Sequence, residues 1–428
     1  MTYPSSPVSR TILALLVCAT SALQAGQPPT FEVTPLSLPA SANGAQPDLV
    51  SSADGGLYLS WVEKLDKGHR LRFSRIDSVG EDGFSRDKVQ WSPAQTIASG
   101  DDWFVNWADI PHMVVFSDGT LWAHWLRKNG SAVYDYGVAL VRSGDHGRTW
   151  SQPIRLEPEG ARLDYGFVSL WEQGSGVLGI AWLDSRQKHE PDASHGGHDA
   201  HGGGSMMLRA ATFNGDGKRV KEWALDSATC DCCPTSVATT TDGAVLVYRG
   251  RTAEEIRDMQ LVRFNGTDWS KPVTVHADKW KFAGCPVNGP AVAANGSDVW
   301  VAWYTEGDGQ PSVRLARSTD AGRHFAEPRH VAEGTAQLGR VDMAMDSSNV
   351  WLTWLVENEK GNAQQLMLAR FDAASGKLMQ REAIADLSAR GHASGLPRIQ
   401  LHDGEVWLVW TDSVDGKSQL RGVRVRPG

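Results

Sequence analysis

Pro397-Arg398-Ile399-Gln400-Leu401-His402-Asp403-Gly404-Glu405-Val406-Trp407-Leu408-Val409-Trp410 is a complete β-hairpin written in fourteen residues. An alternating strand runs into an Asp-Gly turn, and an apolar strand follows that ends on Trp. Asp-Gly flanked by alternating apolar residues is among the strongest short-range hairpin signals, because both turn residues must adopt positive φ. The same pattern occurs at Pro47–Trp61 (PDLVSSADGGLYLSW), Pro111–Trp125 (PHMVVFSDGTLWAHW), Phe167–Trp182 (FVSLWEQGSGVLGIAW) and Pro234–Tyr248 (PTSVATTTDGAVLVY). It occurs again at Pro290–Trp303 (PAVAANGSDVWVAW) and Val341–Trp354 (VDMAMDSSNVWLTW), and the closing aromatics of the seven copies stand 51 to 66 residues apart. That period explains why the chain carries as many as 18 Trp in 428 residues.

A third strand follows each hairpin, as in Val138–Ser143 (VALVRS) and Val313–Ser318 (VRLARS). One small antiparallel sheet cannot bury both of its faces, so repeated sheets must stack on one another around an axis. The expected fold is therefore all-β: a seven-bladed β-propeller of four-stranded antiparallel blades, with the terminal aromatics filling the space between blades. The last copy stops at its third strand, Ser418–Val425 (SQLRGVRV). Its fourth strand must come from elsewhere, and Phe31–Leu38 (FEVTPLSL) is the N-terminal strand that would close the ring.

Composition narrows the partners. With 41% hydrophobic residues the chain reads as an ordinary globular domain, and its net charge of −8 lacks the basic field that favours nucleic acid. Arg10 precedes an apolar run over Thr11–Ala22 that is too short to span a bilayer and resembles a cleavable secretory signal over residues 1–25. Residues 26–428 then form a single propeller domain, periplasmic or secreted, without a membrane span. Of five cysteines, Cys18 leaves with the signal, and Cys230, Cys232, Cys233 and Cys285 remain. In an oxidising compartment, disulfides are the default for an even number.

Two segments, Ser143-Gly144-Asp145-His146-Gly147-Arg148-Thr149-Trp150 and Ser318-Thr319-Asp320-Ala321-Gly322-Arg323-His324-Phe325, resemble the Asp-box (BNR repeat) of the sialidase superfamily. Both follow a third strand, as the family's boxes do. The resemblance implies the propeller fold and, as one functional alternative, a glycoside hydrolase of exo-sialidase type with an arginine triad holding the substrate carboxylate. The family's Arg-Ile-Pro in the first blade has Gln46-Pro47-Asp48 in its place here, while Pro397-Arg398-Ile399 carries similar residues in another order in the last blade. For the family's Tyr/Glu nucleophile pair, Tyr165, Tyr304 and Glu306 lie near strand ends. Without the Arg-Ile-Pro motif, a binding protein ranks above a hydrolase.

In a four-stranded blade, the loops joining strands two to three and one blade to the next share one face, and propeller ligands bind at a mouth of the central channel. On that face fall Asp101–His112 (DDWFVNWADIPH), with Trp103 and His112 as ligand contacts, and the Arg-rich stretch Arg249–Asp258. Arg249, Arg251 and Arg257 could clamp a carboxylate, or pair internally with Glu254, Glu255 and Asp258. The same face receives Cys230, Cys232 and Cys233 ahead of blade 4 and Cys285 at the matching place ahead of blade 5. It also receives a loop with four His in thirteen residues, His189–His201, followed by Met206 and Met207. His195, His198 and His201 at three-residue spacing, near thiols and Met sulfur, suit copper, with zinc as the alternative. No haem or nucleotide is expected, since no Cys-x-x-Cys-His occurs. The ligand at the mouth is expected to be a small molecule, a glycan or a metal.

Overall fold

Strand Arg398–His402 pairs antiparallel with Glu405–Val414 around the two-residue turn Asp403-Gly404, whose φ angles are 50° and 75°. Positive φ at both positions is what lets so short a loop match the twist of its strands, and Asp-Gly tolerates it. The computed structural model of the protein describes residues 1, 30–40, 43–76, 89–161, 163–174, 176–188 and 205–427. Apart from Met1, the leader read over residues 1–25 lies outside the described residues, as do His195, His198 and His201.

Seven four-stranded antiparallel sheets form the ring, as the repeat requires. Their innermost strands are Gly44–Ser51, Met113–Val115, Tyr165–Gly174, Ser236–Thr240, Ala291–Asn295, Gln337–Met345 and Arg398–His402. Blade 7 takes its outermost strand from the other end of the chain: Glu32–Pro35 pairs with Lys417–Arg426 in the register Glu32↔Arg426 to Pro35↔Val423. The only helix among the described residues is one 3-10 turn, Gly391–Ser394.

The core is divided rather than central. Seven apolar clusters are present, each joining two consecutive blades, and the closing aromatic of the later blade sits in each. Trp125 packs with Leu71 and Phe73 of blade 1, Trp182 with Leu140 of blade 2, and Trp61 with Trp407 and Val409 of blade 7. Trp61, Trp182, Trp303 and Trp354 are all buried to 1% exposure or less. A buried Trp removes some 150–250 Å² from water, so truncating one to Ala costs about 3–5 kcal/mol. Trp103 belongs to this packing: it is buried and stacks on Trp125 at 5.4 Å, which makes it a wedge between blades 1 and 2.

Both Ser-x-Asp segments fold as turns closed by their own side chains. Ser143 Oγ donates to Asp145 Oδ1 (2.8 Å) and accepts from Gly147 N (2.8 Å), and Asp145 accepts from Thr149 N (2.9 Å). Those donors hold the Asp145 carboxyl down to about 2. Ser318, Asp320, Gly322 and His324 repeat the arrangement in blade 5.

Candidate functional site

All seven innermost strands line an axial channel of about 480 Å³. In five of the seven repeats the residue after the opening Pro or Val falls in phase there, which brings Asp48, His112, Thr235, Asp342 and Arg398 to the channel wall. Arg398 Nε lies 3.1 Å from Asp48 Oδ1 and 3.4 Å from Asp342 Oδ2, and His112 Nδ1 lies 3.2 Å from Asp48 Oδ2. Each carboxylate also latches the next blade: Asp48 accepts from Met113 N (3.3 Å) and Asp342 from Ile399 N (3.0 Å). Burial alone would push the Asp48 carboxyl up, but His112 and Arg398 outweigh it and leave it below its ordinary value. Asp342 is raised, since burial there exceeds what Arg398 returns. Asp109 is the exception of the channel. Phe167 N donates to its Oδ1 (2.8 Å), Oδ2 has no partner, and burial raises its carboxyl to about 7.

Beside the channel, Cys230, Cys232, Cys233 and Cys285 converge. Cys230, Cys232 and Cys233 occupy the connection between the outer strand of blade 3, Arg219–Thr229, and the inner strand of blade 4. Cys230 N donates to Arg249 O (2.9 Å), which fixes the start of the segment. Cys230 Sγ stands 3.1 Å from Cys233 Sγ and 3.9 Å from Cys232 Sγ, and all three sulfurs lie within 4.8 Å of one another. The Cys285 thiol hydrogen-bonds with Cys232 from the neighbouring blade's connection. All four are free thiols, in place of the expected disulfides. Exposure is graded: Cys285 is exposed, Cys232 half-buried, and Cys230 and Cys233 buried. The close pair is spaced Cys230-x-x-Cys233, a relation that the neighbouring Cys232 masks in the sequence.

Charge around the thiols is lopsided. Lys188 Nζ pairs with Asp231 Oδ2 at 2.8 Å, Arg251 reaches both Asp231 (3.5 Å) and Glu255 (2.6 Å), and Arg257 also pairs with Glu255. Arg249 is 1% exposed and has no carboxylate at ion-pairing distance among the described residues. Lys188, Arg251 and Arg257 thus share Asp231 and Glu255, and the charge of Arg249 is felt by the nearby Asp258, so four cations stand against three carboxylates. Burial opposes ionisation of Cys230, yet hydrogen bonds from Cys232 and Cys233 and the charge of Arg249 hold its thiol well below the usual range. Cys232 is pushed up by its bond to Cys230, and Cys233 by burial.

The arginines read as a carboxylate clamp grip their own chain. Arg249 donates to Asn288 O (3.0 and 2.8 Å), Arg257 O (2.7 Å) and Tyr304 O (2.7 Å), and its guanidinium stacks 4.8 Å over Trp280. Arg257 donates to Phe282 O (3.1 Å). Phe282 and Asn288 bracket Cys285, so the two guanidinium groups fasten the Cys285 loop on both sides. Gly289 completes the fit, because a Cβ there would overlap the carbonyl of Pro234, the residue after Cys233. His112 is the predicted ligand residue that does line the channel. Tyr304 Oη donates to Glu306 Oε1 (2.6 Å), but neither side chain lines the channel, and Tyr165 is buried between blades 2 and 3. Both ends of the His-rich segment are tied to the thiol segment through one residue: Asp231 pairs with Lys188 and accepts from Met206 N (3.0 Å).

No protein-family profile matches the chain, and no curated protein is similar to it. Solved structures are similar in fold. A Dyadobacter fermentans protein of unknown function superposes with a TM-score of 0.50 at 15% identity, covering 90% of this chain and 95% of that one. The polysaccharide lyase Uly1 gives 0.51 at 9% identity, with 91% of each chain covered. A NanB sialidase from Streptococcus pneumoniae gives 0.48 at 10% identity, covering 87% and 83%. At these identities the likeness is one of fold alone.

Proposed function

We propose that this is an exported, sialidase-like propeller that binds a transition metal, copper(I) foremost, at Cys230, Cys232 and Cys233. The observation that carries the reading is three unbonded sulfurs mutually within 4.8 Å, beside a surplus of cations that favours their ionised form. Thiolate ligands select copper(I) and zinc. Around a metal with M–S of about 2.3 Å, neighbouring sulfurs stand about 3.8–4.0 Å apart. Cys230 and Cys232 already hold that separation at 3.9 Å, while Cys230 and Cys233 at 3.1 Å would open slightly. A close trio with the fourth thiol at its edge suits three-coordinate copper(I) better than the four equivalent ligands of tetrahedral zinc. His195, His198 and His201 would add imidazole donors on a segment whose two ends are tied to Asp231.

Protein purified without a His tag should show four free thiols per mature chain and take up one tight equivalent of copper(I) under reducing conditions. Cys230→Ser should weaken that uptake by roughly 100-fold or more, because the site loses the sulfur that stands 3.1 and 3.9 Å from its two neighbours. Failure to bind copper(I) or zinc at micromolar concentration refutes the reading. A fluorogenic sialoside, turned over with loss of activity in Tyr304→Phe, would favour the hydrolase instead.

A further inference from the structure

The four thiols form a path rather than a cage. Cys285 is exposed and contacts Cys232; Cys232 is half-buried and lies 3.9 Å from Cys230; Cys230 is buried and lies 3.1 Å from the equally buried Cys233. The two steps inside the trio are shorter than the reach of one metal ion holding two sulfurs, and the path from Cys285 through Cys232 to Cys230 leads from solvent into the interior. Cys285 stands outside the mutually close trio. Its loop is nonetheless held firmly: Arg257 at Phe282 O, Arg249 at Asn288 O, and Phe282 N donating to Glu255 O (3.0 Å). A thiol so placed by buried arginines, yet left exposed, has a position that packing alone does not require.

We propose that Cys285 is the acceptor and release thiol of a ligand-exchange relay, which passes copper(I) between a solvent-side donor and the buried trio by way of Cys232. This rests on the metal-binding reading above. The incoming ion first bonds Cys285 and Cys232 as its bond to the external donor breaks. A bond to Cys230 then forms before the bond to Cys285 breaks, and Cys233 completes three-coordination. The ion remains copper(I) throughout, so no electrons move. Each thiol that becomes a ligand releases its proton to water, and Cys285 recovers one when the ion leaves it. Arg249 and Arg257 act as positioning residues, which keep Cys285 in reach of Cys232 without touching the ion.

The test follows, by stopped flow without oxygen, the transfer of copper(I) from its coloured bathocuproine disulfonate complex to the purified protein and back. In Cys285→Ser the final occupancy should match the wild type, while both transfer rates fall about tenfold or more. Arg257→Ala should slow transfer in the same direction, with the thermal midpoint recorded to show that the propeller remains folded. Unchanged rates in Cys285→Ser overturn the relay and leave the metal site standing. A loss of final occupancy as large as in Cys230→Ser also overturns it, since Cys285 is then an ordinary fourth ligand. A wild-type protein that takes no copper(I) refutes the underlying reading, a different outcome from either.

Discussion

The axial channel and the thiol cluster sit side by side at the head of the same blades, and they treat buried charge in opposite ways. In the channel, Arg398 stands between Asp48 and Asp342, and His112 faces Asp48, so these four groups answer one another within 3.4 Å. Around the thiols, the cations exceed their carboxylates, and Arg249 satisfies its guanidinium on backbone carbonyls that carry no net charge. A balanced group holds blades together and asks for nothing more. An unbalanced one lowers the cost of bringing in negative charge, here on sulfur.

The largest effect should come from unbalancing the channel. Arg398→Met leaves two buried carboxylates facing each other, which should cost about 3–5 kcal/mol in urea unfolding at pH 7. The loss should shrink at pH 5, as a carboxyl already raised by burial takes up a proton. A loss that does not change with pH would mean that Arg398 acts by packing.

Next is Asp109, a buried channel carboxylate with no cation at ion-pairing distance among the described residues. Its folded value of about 7 exceeds the unfolded value of about 3.9, so the folded state favours the proton. Its contribution is therefore intact below about pH 4 and is lost as pH rises through 7, at about 1.4 kcal/mol per unit. Asp109→Asn keeps the acceptor for Phe167 N and removes that slope. The variant should gain about 2–4 kcal/mol over wild type at pH 8 and little at pH 4, as measured by denaturant titration at both.

Smallest in stability is Gly289→Ala, about 1–3 kcal/mol, because a Cβ against the Pro234 carbonyl forces the two connections apart. Its informative consequence is local. Copper(I) affinity should fall along with stability, whereas Asp109→Asn should leave affinity unchanged. Equal affinities in both variants would show that the spacing between the Cys233 and Cys285 connections does not govern the site.

The fold was legible because it is written seven times. Period and terminal aromatic agree in every copy, four of the seven turns are Asp-Gly, and the missing strand assigned to Phe31–Leu38 is found at Glu32–Pro35 within it. The site was legible in part. That Cys230, Cys232, Cys233 and Cys285 would meet follows from their matching places ahead of neighbouring blades. What the arginines do was hidden, because their partners are carbonyls of Asn288, Phe282 and Tyr304, and a carbonyl leaves no trace in residue type. The pairing of Asp48 with Arg398 joins residues from opposite ends of the chain. A signal for it existed: Asp48, His112, Thr235, Asp342 and Arg398 all follow the opening Pro or Val of their repeats, and all five line the channel.

The pairing of Glu32–Pro35 with Lys417–Arg426 also sets an order of events during biosynthesis. The strand made first can find its partner only after nearly the whole chain has been made, so the ring has no folded form while synthesis is under way. Until that last strand emerges, blade 1 lacks its neighbour, and the surface of Trp61 that Trp407 and Val409 cover stays wet. Contacts so distant in sequence form slowly, and open sheet edges invite other chains in the meantime. A chain threaded through a membrane in extended form would meet this delay without penalty, since its ends come together only on the far side.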